Sequence, residues 1–446
     1  MNEKSTKNHP SIGSFMAYIV VLLASSFYLY EFFLRVMPTV ITSELMNAFS
    51  IGTGQLGQLL GCFFYAYALM QLPAGLLCDR YGAKNCLVSA VFICALSILA
   101  FQWTDNFGVA SLSRLAIGAA SAFAFIGPLA LSNRWFPADK QALITGCVQI
   151  MGCVGAVIAG GPIRSLIESI GWRPATYYSG IIGVILTVLF FLILKNEPDN
   201  HTNKHSQSDK HTLDILSTLK IVTTNKVNWF IGFAAFGSWT AVAIFAESWG
   251  VPFLNILQSQ TDDASASQLM WVWIAMAITS PLAGWFSDHI KERIRPTMFL
   301  LAVGLIASIV LIVFQPHNTY FVSFLLFLIG ASSAAQPITF GLINDLNSKE
   351  TMATAIALNN MILVCSTGVL TPISGYILEY YSSSASSLPT TIAPFQTAFM
   401  IVPISIATCM VVFYTMVKET NCQHISATEL PDLDTDLTDE QSPSAA

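Results

Sequence analysis

Five charged side chains lie within long apolar stretches of the sequence, where charges are rare. They are Glu31, Arg35, Arg114, Glu247 and Asp345. A charge at the middle of a membrane helix costs about 2.5–3.5 kcal/mol on insertion scales, so such residues are usually paired or line a cavity. These side chains are therefore the first candidates for solute binding or proton transfer.

The closest pair in sequence is Glu31 and Arg35, which are four residues apart. In a helix this spacing places both on one face, where they could pair. One interpretation is an internal salt bridge that makes both charges tolerable in lipid. The other is that Arg35 binds a substrate carboxylate in a planar, bidentate geometry, while Glu31 takes a proton or a substrate amine. Arg114 could be a second anion contact or part of a packing network.

The two remaining acids suggest proton coupling or gating. Glu247 lies five residues before Pro252, near the predicted outer end of its helix, where it could carry a proton, act in a gate or reach the interface. Asp345 follows Asn344 at a predicted inner helix end and is interpreted as a gate or helix cap. The seven histidines are terminal or in predicted loops, so the proton carrier would be a carboxylate. Glu31 is the first choice and Glu247 the second.

Polar and aromatic side chains near these charges could shape a cavity. Tyrosine offers an apolar wall with a hydrogen-bonding tip. The adjacent amides Asn359 and Asn360 stand in an apolar stretch and need partners there. We include Tyr30, Gln149 and both asparagines among the candidate substrate contacts, with ordinary helix packing as the alternative for each.

The composition is that of a membrane protein. Of 446 residues, 54% are hydrophobic and only 10% charged, with a mean hydropathy of +0.61; a soluble chain carries about 25% charged residues. Apolar runs of about 20 residues can cross the hydrocarbon layer, and they must be helical because lipid offers no partner to backbone amides. The nine cysteines show no metal spacing, and no phosphate loop or nucleophile–base arrangement occurs. We therefore predict no enzyme, no cofactor and no nucleic-acid partner.

Twelve apolar stretches predict an all-α protein with twelve transmembrane helices. A long polar segment, 195–227, separates two sets of six helices, 1–194 and 228–417, and an acidic tail, 418–446, is expected to be solvated and disordered. The predicted spans are 15–41, 55–77, 84–103, 109–134, 141–162, 175–194, 228–250, 268–287, 297–315, 319–345, 352–379 and 395–417.

The basic residues predict the orientation of these spans. With both termini in the cytoplasm, 16 of the 20 Lys and Arg residues face inward. Only Arg164 and Arg173 then lie outside, while Arg35 and Arg114 are within spans. This asymmetry follows the positive-inside rule and predicts cytoplasmic termini.

The two sets of helices resemble each other in sequence. Three pairs of residues share an offset of 209: Gly75 and Gly284, Asp79 and Asp288, and Pro128 and Pro337. Such matches are improbable by chance among interchangeable aliphatic residues. They indicate a duplicated six-helix unit, an arrangement known in transporters.

The loop after the second span carries the sharpest motif. The stretch Gly75-Leu76-Leu77-Cys78-Asp79-Arg80-Tyr81-Gly82-Ala83-Lys84 resembles the major facilitator signature G-x-L-x-D-R-x-G-x-K, and Gly284–His289 is a weaker copy. Arg114 to Gly118 resembles the family's R-x-x-x-G pattern. With the span count, central loop and topology, the sequence is identified as a member of the major facilitator superfamily.

The resemblance implies a two-fold bundle whose spans one, four, seven and ten line a central cavity, and all five intramembrane charges fall on these spans. It also implies a cytoplasmic gate in which the motif acid latches the halves. Gly75 would allow close helix approach, Gly82 a tight reversal, and Asp79 a cap or ion pair. The residues assigned to gating are Gly75, Asp79, Arg80, Gly82, Gly284, Asp288 and Asp345.

A narrower resemblance lies in the first span. The stretch from Tyr28 to Pro38 is similar to the phagosomal nutrient transporters of intracellular gammaproteobacteria. The predicted function is proton-coupled uptake of a small carboxylate-bearing metabolite, such as an amino acid, small peptide or organic anion, by a monomer in a bacterial inner membrane. Two alternatives stay open: an efflux carrier for a drug or siderophore, and a non-transporting membrane sensor on the same fold. The family's glycine–proline motif, associated with drug/proton antiport, is only loosely present around Pro162, which counts against efflux.

Overall fold

The computed structural model describes residues 15–136, 141–196, 215–348, 351–381 and 388–423, and within them every regular element is helical. Most of the predicted central loop, 197–214, and the acidic tail from residue 424 lie outside these ranges. So do six basic residues used to predict the orientation: Lys4, Lys7, Lys140, Lys204, Lys210 and Lys349.

Twelve helical segments in the described ranges are long and apolar enough to cross a membrane, which confirms the predicted count. Spans one to twelve are Phe15–Val40, Thr53–Cys78, Ala83–Trp103, Phe107–Ser132, Ile144–Ile170, Trp172–Ile193, Lys226–Gln258, Asp262–Ile290, Ile294–Phe314, Thr319–Leu346, Thr354–Tyr380 and Ile392–Met416. A short helix, Thr42–Phe49, follows span one, and another, Ile215–Thr224, precedes span seven.

Three helix ends were predicted wrongly. Span eight begins at Asp262 and not at residue 268, and the other two errors lie at or near a proline. Span five was expected to end at Pro162, but a new helix, Gly161–Ile170, begins there with the proline in its first turn. Span seven was expected to end at residue 250, yet a helix continues over Gly250–Gln258 with a proline in its first turn. Proline is tolerated at these positions because the first amides of a helix have no intrahelical partner. Glu247 is therefore interior to span seven and not near its end.

The helices pack in a pattern that repeats between the two sets of six. Span one packs on five, two on four and three on six; seven likewise packs on eleven, eight on ten and nine on twelve. The two sets meet where span two lies along eleven and span five along eight. Such repeated packing is expected for the duplicated six-helix unit that the shared sequence offset indicates.

The contact between the two sets is tight at one end of the bundle, which we call the Arg164 end. There the Thr53 hydroxyl donates to the Gly375 carbonyl at 2.9 Å, and the amide of Gly54 donates to Glu379 Oε2 at 2.9 Å. A Cβ placed on Gly57 would lie 2.9 Å from the carbonyl oxygen of Thr371. Spans two and eleven therefore touch backbone to backbone at this end.

The opposite end, which carries Gly82 and Arg293 and which we call the motif end, is open around three of its glycines. No described atom outside the local helix lies within 4 Å of a Cβ placed on Gly75, Gly146 or Gly284. The expectation that Gly75 lets helices approach closely is therefore wrong for this conformation. Among the described residues, span two has no close contact with another helix at Gly75.

This difference between the two ends predicts unequal effects of enlarging a glycine on span two. Gly75→Leu should not lower the melting temperature, because the site is open and leucine favours a helix more than glycine. Its transport rate should fall at least about tenfold if the motif end must close in each cycle, because the side chain would then meet a helix. Gly57→Leu is the matched control and should lower the melting temperature. Unchanged transport in Gly75→Leu would contradict closure there.

Candidate functional site

One arginine between two carboxylates forms the centre of the bundle. Arg35 Nη2 lies 2.8 Å from Glu31 Oε1, and its Nη1 lies 3.5 Å from Glu247 Oε1. Arg35 is only 3% exposed, and both acids are buried. We call Glu31, Arg35 and Glu247 the central triad. Since Glu247 belongs to the second set of helices, the triad joins the two sets.

Local backbone geometry positions the members of the triad. Glu31 and Arg35 share a face of span one, and Arg35 Nε also donates to Glu31 Oε1 at 2.9 Å. Glu247 lies in a π-helical turn, Phe245–Trp249, within span seven. Such turns are rare and often occur at functional sites. A Cβ on Gly250 would lie 1.9 Å from the Phe245 carbonyl oxygen, so the turn requires glycine at this position.

The carboxylate of Glu247 has further donors. Its Oε2 accepts from Trp239 Nε1 at 3.0 Å and from Thr367 Oγ1 at 2.6 Å. Hydrogen bonds to a charged acceptor are among the stronger ones in proteins. Thr367, on span eleven, was not predicted from the sequence, because a single threonine in an apolar helix carries no distinguishing pattern.

Aromatic rings enclose the arginine of the triad. The Arg35 guanidinium carbon lies 4.5 Å from the ring centroid of Phe32 and 4.8 Å from that of Tyr67, both within cation–π range. The Phe32 ring meets Trp273 of span eight edge to face at 5.7 Å, so this wall also crosses between the two sets of helices. The rings exclude water and strengthen the charge interactions inside them.

The second buried arginine is only partly satisfied. Arg114 is 1% exposed, and its Nη1 donates to the Leu34 carbonyl at 2.9 Å. Its Nε and Nη2 have no hydrogen-bond partner among the described residues. These two nitrogens form one side of the guanidinium fork, the geometry that binds a carboxylate through two parallel hydrogen bonds. Arg114 is therefore a buried cation with free capacity for an anion.

The other predicted substrate contacts lie elsewhere. The Tyr30 hydroxyl donates to the Ser179 carbonyl at 3.0 Å, which directs the ring toward span six. Asn359 Nδ2 donates to Thr339 Oγ1 at 3.1 Å, and its Oδ1 has no partner among the described residues. Gln149 and Asn360 are half-buried. The structure therefore brings Glu31, Arg35 and Glu247 together but does not bring Tyr30 to them.

Two predicted gating acids meet at an arginine that was not singled out from the sequence. Arg293 Nη1 lies 2.7 Å from Asp288 Oδ1, and its Nε lies 3.1 Å from Asp345 Oδ2. Burial alone would lower the pKa of Arg293, but Asp345 and Asp288 outweigh it, so this pKa is raised. Thr420 also donates to Asp345 at 2.8 Å. These contacts join spans eight and ten at the motif end.

The corresponding motif of the first set of helices is the stretch from Gly75 to Lys84, and the structure describes most of it. Gly82 has φ +82°, a backbone conformation that favours glycine, as a tight reversal requires. The amide of Lys84 donates to Asn196 Oδ1 at 2.9 Å. The Arg80 side chain is exposed beside Tyr81. The side chain of Asp79 lies outside the described part of the chain, so its predicted latch stays a prediction.

A third charged cluster, at the Arg164 end, was also missed. Arg164 lies 2.6 Å from Glu44, 2.9 Å from Asp262 and 3.3 Å from Glu168. It also donates to the Val40 carbonyl at 2.8 Å. We call this cluster the Arg164 lock, because Asp262 belongs to span eight and Arg164 to span five. The available signal was that Arg164 is one of two basic residues predicted outside.

Comparison with known proteins identifies the family. The model of the Major Facilitator Superfamily matches residues 14–258 and 240–430, and the chain belongs to this superfamily. The predicted family and twelve-helix fold are confirmed, and the family is one of transporters, as the absence of enzyme motifs indicated.

Individual relatives are more distant. The hexuronate transporter of Escherichia coli K12 is 29% identical over 38% of this chain and 37% of its own length. Sialin of Ovis aries is 23% identical over 56% of each. The chain thus spans about half or less of the curated relatives that it matches. A crystal structure of a bacterial homologue of the human lysosomal transporter Spinster, 17% identical, superposes with a TM-score of 0.70 over 90% of this chain and 96% of that one. It shares the fold.

Proposed function

We propose that this protein is a secondary transporter that moves a small organic anion, carrying a carboxylate, together with a proton by alternating access. The observation that carries the proposal is the pair of free N–H donors on buried Arg114, beside a triad in which Arg35 is already paired. A relative named as a hexuronate transporter supports the choice of an organic anion.

The two arginines have different roles in this proposal. From the sequence, Arg35 was the preferred substrate ligand, but in the structure it lies between Glu31 and Glu247. Arg114 is assigned to the substrate carboxylate instead, because an unpaired buried donor gains most from an anionic partner. Arg35 then serves as the cation that the two acids share.

Charge balance links the proton to the anion. Two arginines and two ionised glutamates give a neutral centre, since +2 and −2 cancel. A proton on Glu31 or Glu247 leaves one net positive charge, which a monocarboxylate returns to zero. Because a buried site disfavours net charge, proton and anion should bind together, in a ratio of one to one.

The direction of transport follows from the proposed orientation. The distribution of basic residues predicts that the motif end faces the cytoplasm, so the Arg164 end, which is closed here, would face outward. In this orientation the protein would lie in a bacterial inner membrane, and an inward proton gradient would drive uptake. An efflux carrier would instead deplete its substrate from the compartment at the motif end.

Purified protein in proteoliposomes provides the test. Ligands should be offered as matched pairs that differ in the carboxylate, such as glucuronate with glucose, or an amino acid with its amide, and a thermal-shift screen should precede uptake. Stabilisation only by the charged member, and uptake that increases with an inward proton gradient, would support the proposal. Uptake of neutral members, or uptake independent of the gradient, would contradict it.

Changing Arg114 tests its assignment to the anion. Arg114→Gln should weaken binding of the stabilising anion by about 10- to 100-fold, because hydrogen bonds to charged groups contribute about 1.5–3 kcal/mol. Arg114→Lys should give a smaller loss, since it keeps the charge but not the fork. Binding is measured by calorimetry on the purified protein. Exposed Arg295, paired with Glu292, supplies the control Arg295→Gln, which should bind as the wild type does.

A further inference from the structure

The π turn that holds Glu247 also contacts span eleven through its next two residues. Thr371 and Ser248 share a hydrogen bond between their hydroxyls, and the Ser248 hydroxyl donates to the Ala243 carbonyl at 2.7 Å. The Trp249 indole donates to the Thr371 carbonyl at 3.3 Å. All of these side chains are buried. Glu247 thus belongs to the central triad, and the next two residues of the same turn, Ser248 and Trp249, both contact Thr371 of span eleven.

That position of span eleven lies against span two. The Thr371 carbonyl is the atom that a Cβ on Gly57 would meet at 2.9 Å. One turn further, a Cβ on Gly375 would lie 2.6 Å from the Thr53 carbonyl and 2.9 Å from the Trp249 ring. Trp249 therefore contacts the place where the two sets of helices meet at the Arg164 end. We call the contact of Thr53 and Gly57 with Thr371 and Gly375 the seam.

The π turn is suited to carrying a conformational change from Glu247 to Trp249. It interrupts the regular hydrogen bonds of span seven over Phe245–Trp249, and sharp bends in helices often occur at such turns. Gly250 supplies the space that the turn needs. The route is continuous and short: Arg35 contacts Glu247, the turn connects Glu247 to Trp249, and Trp249 contacts the seam.

We propose that the π turn of span seven transmits the state of the Arg35–Glu247 contact to the seam, with Trp249 as the positioning residue. The inference rests on the alternating access proposed above. While Arg35 holds Glu247, Trp249 stabilises the closed seam through Thr371. When that contact is lost, the turn relaxes and the Arg164 end opens.

The test is a double-mutant cycle read out as a distance between the two sets of helices. Spin labels attached through a non-natural amino acid at Trp103 and Tyr320, which are 71% and 88% exposed at the Arg164 end, avoid the nine native cysteines. Glu247→Gln should increase the fraction open at this end at least several-fold. Trp249→Phe removes the indole donor and keeps a ring, and in this background Glu247→Gln should have a much smaller effect.

Two further variants decide between transmission and simple packing. Thr371→Val, which removes the hydroxyl partner of Ser248, should reduce the effect of Glu247→Gln as Trp249→Phe does. Trp229→Phe is the matched control, because its indole donates to Thr223 at 2.9 Å near the other end of the same helix, and it should leave the effect intact. Additive effects of Glu247→Gln with both Trp249→Phe and Thr371→Val, or an equal reduction by Trp229→Phe, would overturn the inference. The distances are measured without substrate. A negative result here is therefore distinct from a negative uptake assay, which would contradict the proposed function.

Discussion

Replacing Arg35 with methionine should abolish transport and lower the free energy of unfolding by about 3–5 kcal/mol, because breaking a buried ion pair from one side leaves uncompensated charge. Here two carboxylates would lose their shared cation at once. The enclosing rings of Phe32 and Tyr67 would accept methionine, so packing alone would not account for such a loss. Denaturant unfolding in detergent and uptake into proteoliposomes measure the two effects.

A compensated variant separates stability from function. Combining Arg35→Met with Glu31→Gln and Glu247→Gln removes all three charges, and replacing a whole buried ionic group is often neutral or stabilising. Stability should therefore return toward that of the wild type, while transport stays absent. Transport by either variant would show that the triad is a structural salt bridge and not part of the mechanism.

Local composition was sufficient to predict the helices of this protein. Hydrophobic runs and the distribution of basic residues depend on short segments, so the span count and most ends could be predicted. The errors occurred where the chain departs from that simple rule. Span five was expected to end at Pro162 and span seven at residue 250, two residues before Pro252, although each proline lies in the first turn of a helix that continues the span.

The charged residues could be found from the sequence, but most of their partners could not. Arg35 and Glu247 are 212 positions apart, and only the tertiary fold brings them together. Glu31 and Arg35 were a predictable pair because they share a helix face. Arg35 forms ion pairs with two acids, whereas Arg114 Nε and Nη2 have no hydrogen-bond partner among the described residues. This difference depends on how the spans pack, so the roles of the two arginines could not be assigned from spacing.

Replacing Arg164 with alanine should open the Arg164 end and shift the conformational equilibrium by up to about fivefold. The lock surrounds one arginine with Glu44, Glu168 and Asp262, and all three acids are partly exposed. Only the pair with Asp262 crosses between the two sets of helices, and an ion pair of this kind contributes about 0.2–1 kcal/mol. The label distance between Trp103 and Tyr320 measures the shift.

Arg173 supplies the matched control, because it is the other basic residue predicted outside and has a different geometry. Its partner, Asp105, belongs to the same set of helices, so Arg173→Ala should leave the distance unchanged. Salt screens partly exposed pairs, so high ionic strength should move the wild type toward the Arg164→Ala distribution and leave Arg164→Ala itself unaffected. Equal responses of Arg164→Ala and Arg173→Ala would show that the lock holds no conformation. If only Arg164→Ala opens this end, the closed seam depends on the ion pairs of the Arg164 lock as well as on the backbone contact of Gly57.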